Sequence, residues 1–203
     1  MAGAGSEHLD SMQAKRLTVA LTASSDRLFQ LILESDTEML KTLLHNPSIA
    51  DDHLLALLKR RDLPEDVPKS IHQLRKKNLS HQLILALVKN PATSGGLVRN
   101  LLPTLRMFEL LDLCYIPGVT PDQRLAAERT IIQRLPTTPV GNKITLPRRA
   151  TATVVGELLK EGDSRTVEVC LNSPRLKEAA VFQLLNGAEG TATTISMVAR
   201  HNR

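Results

Sequence analysis

Three segments of this chain place their apolar residues at matching positions around a proline. They are LKTLLHNPSIADDHLLALL (40–58), ILALVKNPATSGGLVRNLL (84–102) and VEVCLNSPRLKEAAVFQLL (167–185). Pro47, Pro91 and Pro174 serve as origins. Ten and eleven positions downstream stand Leu57 and Leu58, Leu101 and Leu102, and Leu184 and Leu185; seven downstream stand Leu54, Val98 and Val181. Upstream by three and four lie Leu44 and Leu43, Val88 and Leu87, and Leu171 and Cys170; upstream by seven lie Leu40, Ile84 and Val167. Spacings of three, four and seven put side chains on one face of a helix. Each segment therefore predicts two short amphipathic helices meeting at the proline. Recurrence of such a unit predicts a stack of helical hairpins.

The rest of the chain reads as helix too. The nearest approach to period-2 alternation, 143–146, is too short to build a sheet. Asp36, Ser80 and Thr120 are predicted helix N-caps, the last followed by Pro121 at the first helical position and Asp122 in the first turn. Asn46 and Asn90 precede their prolines, where asparagine tolerates the left-handed conformation that ends a helix. Gly95 and Gly96 weaken their helix or allow close helix contact. Ile116 and Pro117 form a fourth, eroded junction. Three prolines in 136–150 mark the largest irregularity. The expected organisation is a tail at 1–11, a helical block at 12–135, an irregular connection at 136–150, and a second block at 151–203 continuous with the first.

The pattern of aliphatic pairs flanking an Asn-Pro junction resembles the HEAT-like and leucine-rich-variant α-solenoid repeats of uncharacterised bacterial proteins. The resemblance covers roughly 35–200. It implies an all-α fold, a right-handed superhelix of HEAT- or armadillo-like hairpins, and a scaffold role without catalytic residues. The intervals between the three prolines, 44 and 83 residues, agree with that class if the second is two repeats, because its repeats run to ~40–47 residues. Two junctions depart from the pattern: Ile116 replaces Asn, and Ser173 stands between Asn172 and Pro174. The sequence stops at ISMVARHNR without a polar capping repeat, which suggests a fragment or a face covered by another copy.

Composition narrows the core. Aromatic residues are 2% of the chain, namely Phe29, Phe108, Phe182 and Tyr115, so the core is expected to be aliphatic. Cys114 and Cys170 fall at apolar helical positions and read as buried free thiols of a reducing compartment. No basic-then-apolar leader opens the sequence, and no apolar run reaches membrane-spanning length. A cytoplasmic protein without membrane attachment is expected.

Candidate chemistry is sparse. Asp51, Asp52 and His53 are adjacent, so they diverge around a helix and cannot share one metal ion; they read as a charged first turn. No catalytic, cofactor or metal residues are assigned. With a formal charge of +5, the basic residues weigh more. Lys59, Arg60, Arg61, Lys69, Arg75, Lys76, Lys77 and Lys89 put eight cations within 31 residues, opposed by Asp62, Glu65 and Asp66. Arg148 and Arg149 form a second cluster. If a hairpin sets Arg60 and Arg61 beside Lys76 and Lys77, the patch would suit an acidic protein or phosphates. Arg60, Arg61, Arg75, Lys76, Lys77, Arg148 and Arg149 are thus the candidate partner-binding residues. The expected function is a non-enzymatic scaffold for protein partners. The alternatives are a nucleic-acid-binding solenoid using 59–89, and an unrecognised enzyme.

Overall fold

The computed structural model describes residues 14–34 and 36–201, so the expected tail at 1–11 lies outside the described residues. Every regular element among them is helical. Helix α1 covers 14–22. It is followed by α2 (Ser25–Glu34), α3 (Thr37–Leu43), α4 (Asp51–Leu58), α5 (Asp66–Leu74), α6 (His81–Lys89) and α7 (Gly95–Leu101). Then come α8 (Met107–Leu113), α9 (Pro121–Arg134), α10 (Val140–Thr145), α11 (Ala152–Lys160), α12 (Ser164–Leu171), α13 (Glu178–Leu185) and α14 (Ala192–Arg200). Helices this short are marginal in isolation, so their stability comes from packing.

The chain divides into two compact units, residues 1–101 and 102–203. The Pro-rich stretch 136–150 lies inside the second. It forms α10 with single 3-10 turns on either side, Leu135–Thr137 and Leu146–Arg148. The short alternating run at 143–146 is helical rather than extended.

In each unit, every second helix packs on its predecessor. In the first, α2 packs on α4 and α4 on α6. In the second, one row is α9, α11 and α13, and another is α10, α12 and α14. Helix starts within these rows are 24 to 31 residues apart, the span of two helices with their turns. The period is shorter than the 44-residue interval between the first two prolines suggested. That interval is close to one and a half of these spacings.

The periodic apolar positions build the core. Leu28, Ile32, Leu43, Leu54, Leu57, Leu83 and Leu87 are completely buried in the first unit. Leu110, Ile131, Val154, Leu158 and Val167 are completely buried in the second. Each such side chain contributes roughly 1.5–3 kcal/mol by leaving water. All four aromatic residues lie outside this core, at 36% to 62% exposure. At Gly156 a Cβ would stand 3.3 Å from the Ala180 Cβ, so the missing side chain brings α11 close to α13. At Gly95 and Gly96 a Cβ would meet nothing within 4 Å, so these glycines serve no close helix contact. Local caps form where the residues predict. Asp36 accepts from the Met39 amide at 3.0 Å, Ser80 from Leu83, and Thr120 from Gln123, whose own side chain accepts from the Thr120 amide at 2.8 Å.

Candidate interaction surface

The junction residues act across repeats, not along one helix. Asn46 is 2% exposed; its Nδ2 donates to the carbonyls of Ala20 (2.7 Å) and Ala23 (3.1 Å), while its Oδ1 accepts from the Ser48 amide at 2.7 Å. Asn90 repeats the arrangement: Nδ2 donates to Leu58 and Arg60 carbonyls, both at 2.8 Å, and Oδ1 accepts from the Ala92 amide at 2.9 Å. In the third junction the serine takes over. Ser173 Oγ donates to the Pro147 carbonyl at 2.9 Å and accepts from the Arg175 amide at 3.4 Å. Each side chain folds its own turn and ties it to the previous repeat. The left-handed role expected of the asparagines is not used: no non-glycine described residue has positive φ, and Asn90 has φ −82°.

Arginines reinforce the same seams. Arg75 Nη2 donates to the Ile49 carbonyl at 2.8 Å, and its Nε pairs with Asp51 at 3.1 Å. Arg60 Nη1 donates to the Ile32 carbonyl at 2.8 Å, and the same guanidinium grips Asp62. That grip holds the Asp62 carboxyl below its usual range. Arg61 reaches the Lys89 carbonyl at 3.2 Å. In the second unit Arg134 donates to the Leu105 carbonyl at 2.7 Å and to that of Pro103. These ties, like those of Asn46, Asn90 and Ser173, join residues 23 to 32 positions apart, about one repeat.

His53 belongs to this set, within the charged first turn of α4 that Asp51 and Asp52 open. The ring is 2% exposed and lies against Phe29, centroids 4.3 Å apart. The Ala50 amide donates to Nδ1 at 3.0 Å, so the N3 side chain supplies its half of a capping box at the start of α4. Nδ1 is thus an acceptor and Nε2 carries the proton, 3.1 Å from both the Ser25 carbonyl and its hydroxyl.

These contacts separate the expected basic patch. Arg75 sits at the N-terminal end of α4, on Ile49 and Asp51, whereas Arg60 and Arg61 leave its C-terminal end. The length of α4 stands between them, about 12 Å for eight residues. The two Asn-Pro junctions occupy opposite ends of α4 for the same reason. Lys76 and Lys77 are exposed and have no ion pair or side-chain hydrogen bond among the described residues. Arg60, Arg61 and Arg75 are engaged in the seams.

In the second unit the candidates Arg148 and Arg149 meet residues that the sequence did not single out. Arg149 pairs with Asp112 at 2.6 Å and stands 6.0 Å from the Phe108 ring centroid. Arg175 lies 4.9 Å over the Tyr115 ring and reaches the carbonyls of Arg148 (3.4 Å) and Ala150 (3.5 Å). Phe108 lies on α8, and Tyr115 lies in the turn just past its end. Arg175, one residue after Pro174, had no local signal.

Cys114 and Cys170 are buried free thiols. Burial pushes Cys114 up to about 11 and Cys170 up to about 12, with smaller rises from Glu128 and Glu161 respectively. Among the described residues no group of three His, Cys, Asp or Glu side chains is placed to hold a metal ion. Among them, too, no helix is long and apolar enough to cross a membrane. Comparison of the chain with protein-family models, with curated proteins and with solved structures finds no match in any of the three.

Proposed function

We propose that this chain is a non-enzymatic helical-repeat scaffold, a right-handed α-solenoid that binds other proteins. The observation that carries the reading is the repeated seam. Buried Asn46, Asn90 and Ser173 each tie one junction to the junction a repeat earlier, and arginines add further cross-repeat bonds. A fold whose polar contacts are spent on holding successive repeats in register presents a fixed surface, and such surfaces bind with little ordering cost. The exposed aromatics favour protein partners, since aromatic and arginine side chains supply most binding energy at protein interfaces. The division of 59–89 between the two ends of α4 weakens the nucleic-acid alternative, which needs a continuous run of cations.

The test is capture of partners by the tagged full chain, followed by titration calorimetry with each purified candidate. A partner that binds directly with whole-number stoichiometry supports the reading. Failure to find one, together with retardation of mixed-sequence DNA that falls steeply with salt and is lost in Lys76→Glu/Lys77→Glu, overturns it.

A further inference from the structure

We propose that Arg148, Arg149 and Arg175, arrayed with Phe108 and Tyr115 in the second unit, form a docking surface for an acidic protein segment. This rests on the scaffold reading and names the partner's chemistry. The three guanidinium groups come from two turns, the one before α11 and the one after α12, that are bonded to each other. Arg175 holds the carbonyls of Arg148 and Ala150, which fixes the turn carrying the other two arginines. Two of the three are further ordered by the rings: Arg175 over Tyr115 at 4.9 Å, and Arg149 near Phe108 at 6.0 Å. Arg148 is exposed, and its side chain has no hydrogen bond or ion pair among the described residues. Among the described residues Asp112 is the one acid in an ion pair with the three.

Chemistry selects the partner. A guanidinium stacked on a ring keeps in-plane N–H donors, which match the two oxygens of a carboxylate. Stacking also removes side-chain freedom before the partner arrives, so less ordering cost falls on binding. One face of the Tyr115 ring is taken by Arg175, which leaves that ring less open to stacking by a nucleobase. Beside Arg148 lies a cleft of about 400 Å³ lined by Pro147, Val169 and Pro174, with Glu168 also on its wall. Its lining is mixed: Pro147, Val169 and Pro174 on one side can take an aliphatic side chain, Asn172 and Ser173 are polar, and Glu168 would repel an acid placed there. The surface therefore fits a segment in which carboxylates flank an aliphatic anchor.

The experiment is fluorescence anisotropy of the full chain with a labelled glutamate-rich peptide bearing leucine at every third position. A lysine-rich counterpart is the control. Saturable binding is expected, weakened about tenfold by Arg148→Glu. Because the Arg148 side chain has no polar partner, the fold of that variant should hold, checked by circular dichroism. Lys76→Glu/Lys77→Glu should leave affinity unchanged. The proposal is overturned if the peptide binds no better than its lysine counterpart, if Arg148→Glu has no effect, if reversal of Lys76 and Lys77 weakens binding equally, or if mixed single-stranded DNA binds more tightly and displaces the peptide. A captured partner indifferent to Arg148→Glu removes this surface and leaves the scaffold standing. Absence of any direct partner removes the scaffold instead.

Discussion

Replacing Asn90 separates two physical roles that the residue could play. Its amide donates to two carbonyls and accepts one N–H across a seam that is 2% exposed. Asn90→Ala strands all three groups. The Leu58 carbonyl contact is buried and bears a full penalty of about 2 kcal/mol for an unsatisfied group. The bonds to the Arg60 carbonyl and the Ala92 amide are only partly buried, so water recovers part of them, and each costs about 0.5 kcal/mol. The expected loss is about 3 kcal/mol. Asn90→Gly should cost about 1 kcal/mol more through added backbone freedom. Asn90→Asp should be as damaging or worse, because oxygens replace both N–H donors and face two carbonyls. If asparagine were present only to enter a left-handed turn, glycine would equal or exceed it and aspartate would be mild. Urea unfolding followed by far-UV circular dichroism measures the order, and hydrogen exchange at the Ala92 amide localises the effect to this seam. Either Gly or Asp unfolding within about 0.5 kcal/mol of the parent would refute the argument.

His53→Ala should cost about 2 kcal/mol in the same urea assay, since it removes the cap of α4 and the ring packed on Phe29. Gly96→Ala should raise stability by up to about 1 kcal/mol, while Gly156→Ala gains nothing or loses because its Cβ would crowd Ala180. Calorimetric melting distinguishes the two. The thiols carry a pH dependence: their folded-state pKa values lie above the ordinary 9.0, at about 11 and 12, so the native state favours the neutral form. The stability they contribute is complete below pH 9 and declines as pH rises toward 11 to 12. Urea midpoints across that range should fall more steeply in the parent than in Cys114→Ala/Cys170→Ala, and neither thiol should react with a thiol reagent at neutral pH until the chain unfolds.

Local chemistry was legible in the sequence where both partners sit within one turn. Asp36, Ser80 and Thr120 cap helices because acceptor and amide are three residues apart. The apolar periodicity likewise located the helices and their buried faces. What escaped were bonds whose other half lies a repeat away. Asn46 and Asn90 looked like terminators because the carbonyls they hold are 23 to 32 residues upstream. Arg60 and Arg75 looked like one patch because adjacency in sequence does not reveal which end of a helix a turn joins. The place of His53 in the seam was not legible from its aspartate neighbours, because Phe29 and Ser25, which enclose it, come from the preceding helix of the row. Arg175 escaped for a related reason, since its ring partner Tyr115 lies at the end of α8, far upstream in the sequence.

The half-repeat offset between the first two Asn-Pro junctions has a consequence for altering chain length. A junction motif that works at either end of a helix leaves the direction of the chain, not the motif, to decide which edge it occupies. Excision of one whole period inside a unit, between 24 and 31 residues, returns every later helix to its original row and direction. Excision of a single helix with its turn sends the downstream chain out from the opposite edge, and residues that had faced one neighbour then face another. Tolerance to deletion should therefore alternate with length, and a block matching the 44-residue proline interval belongs to the disruptive class even though its two ends look alike.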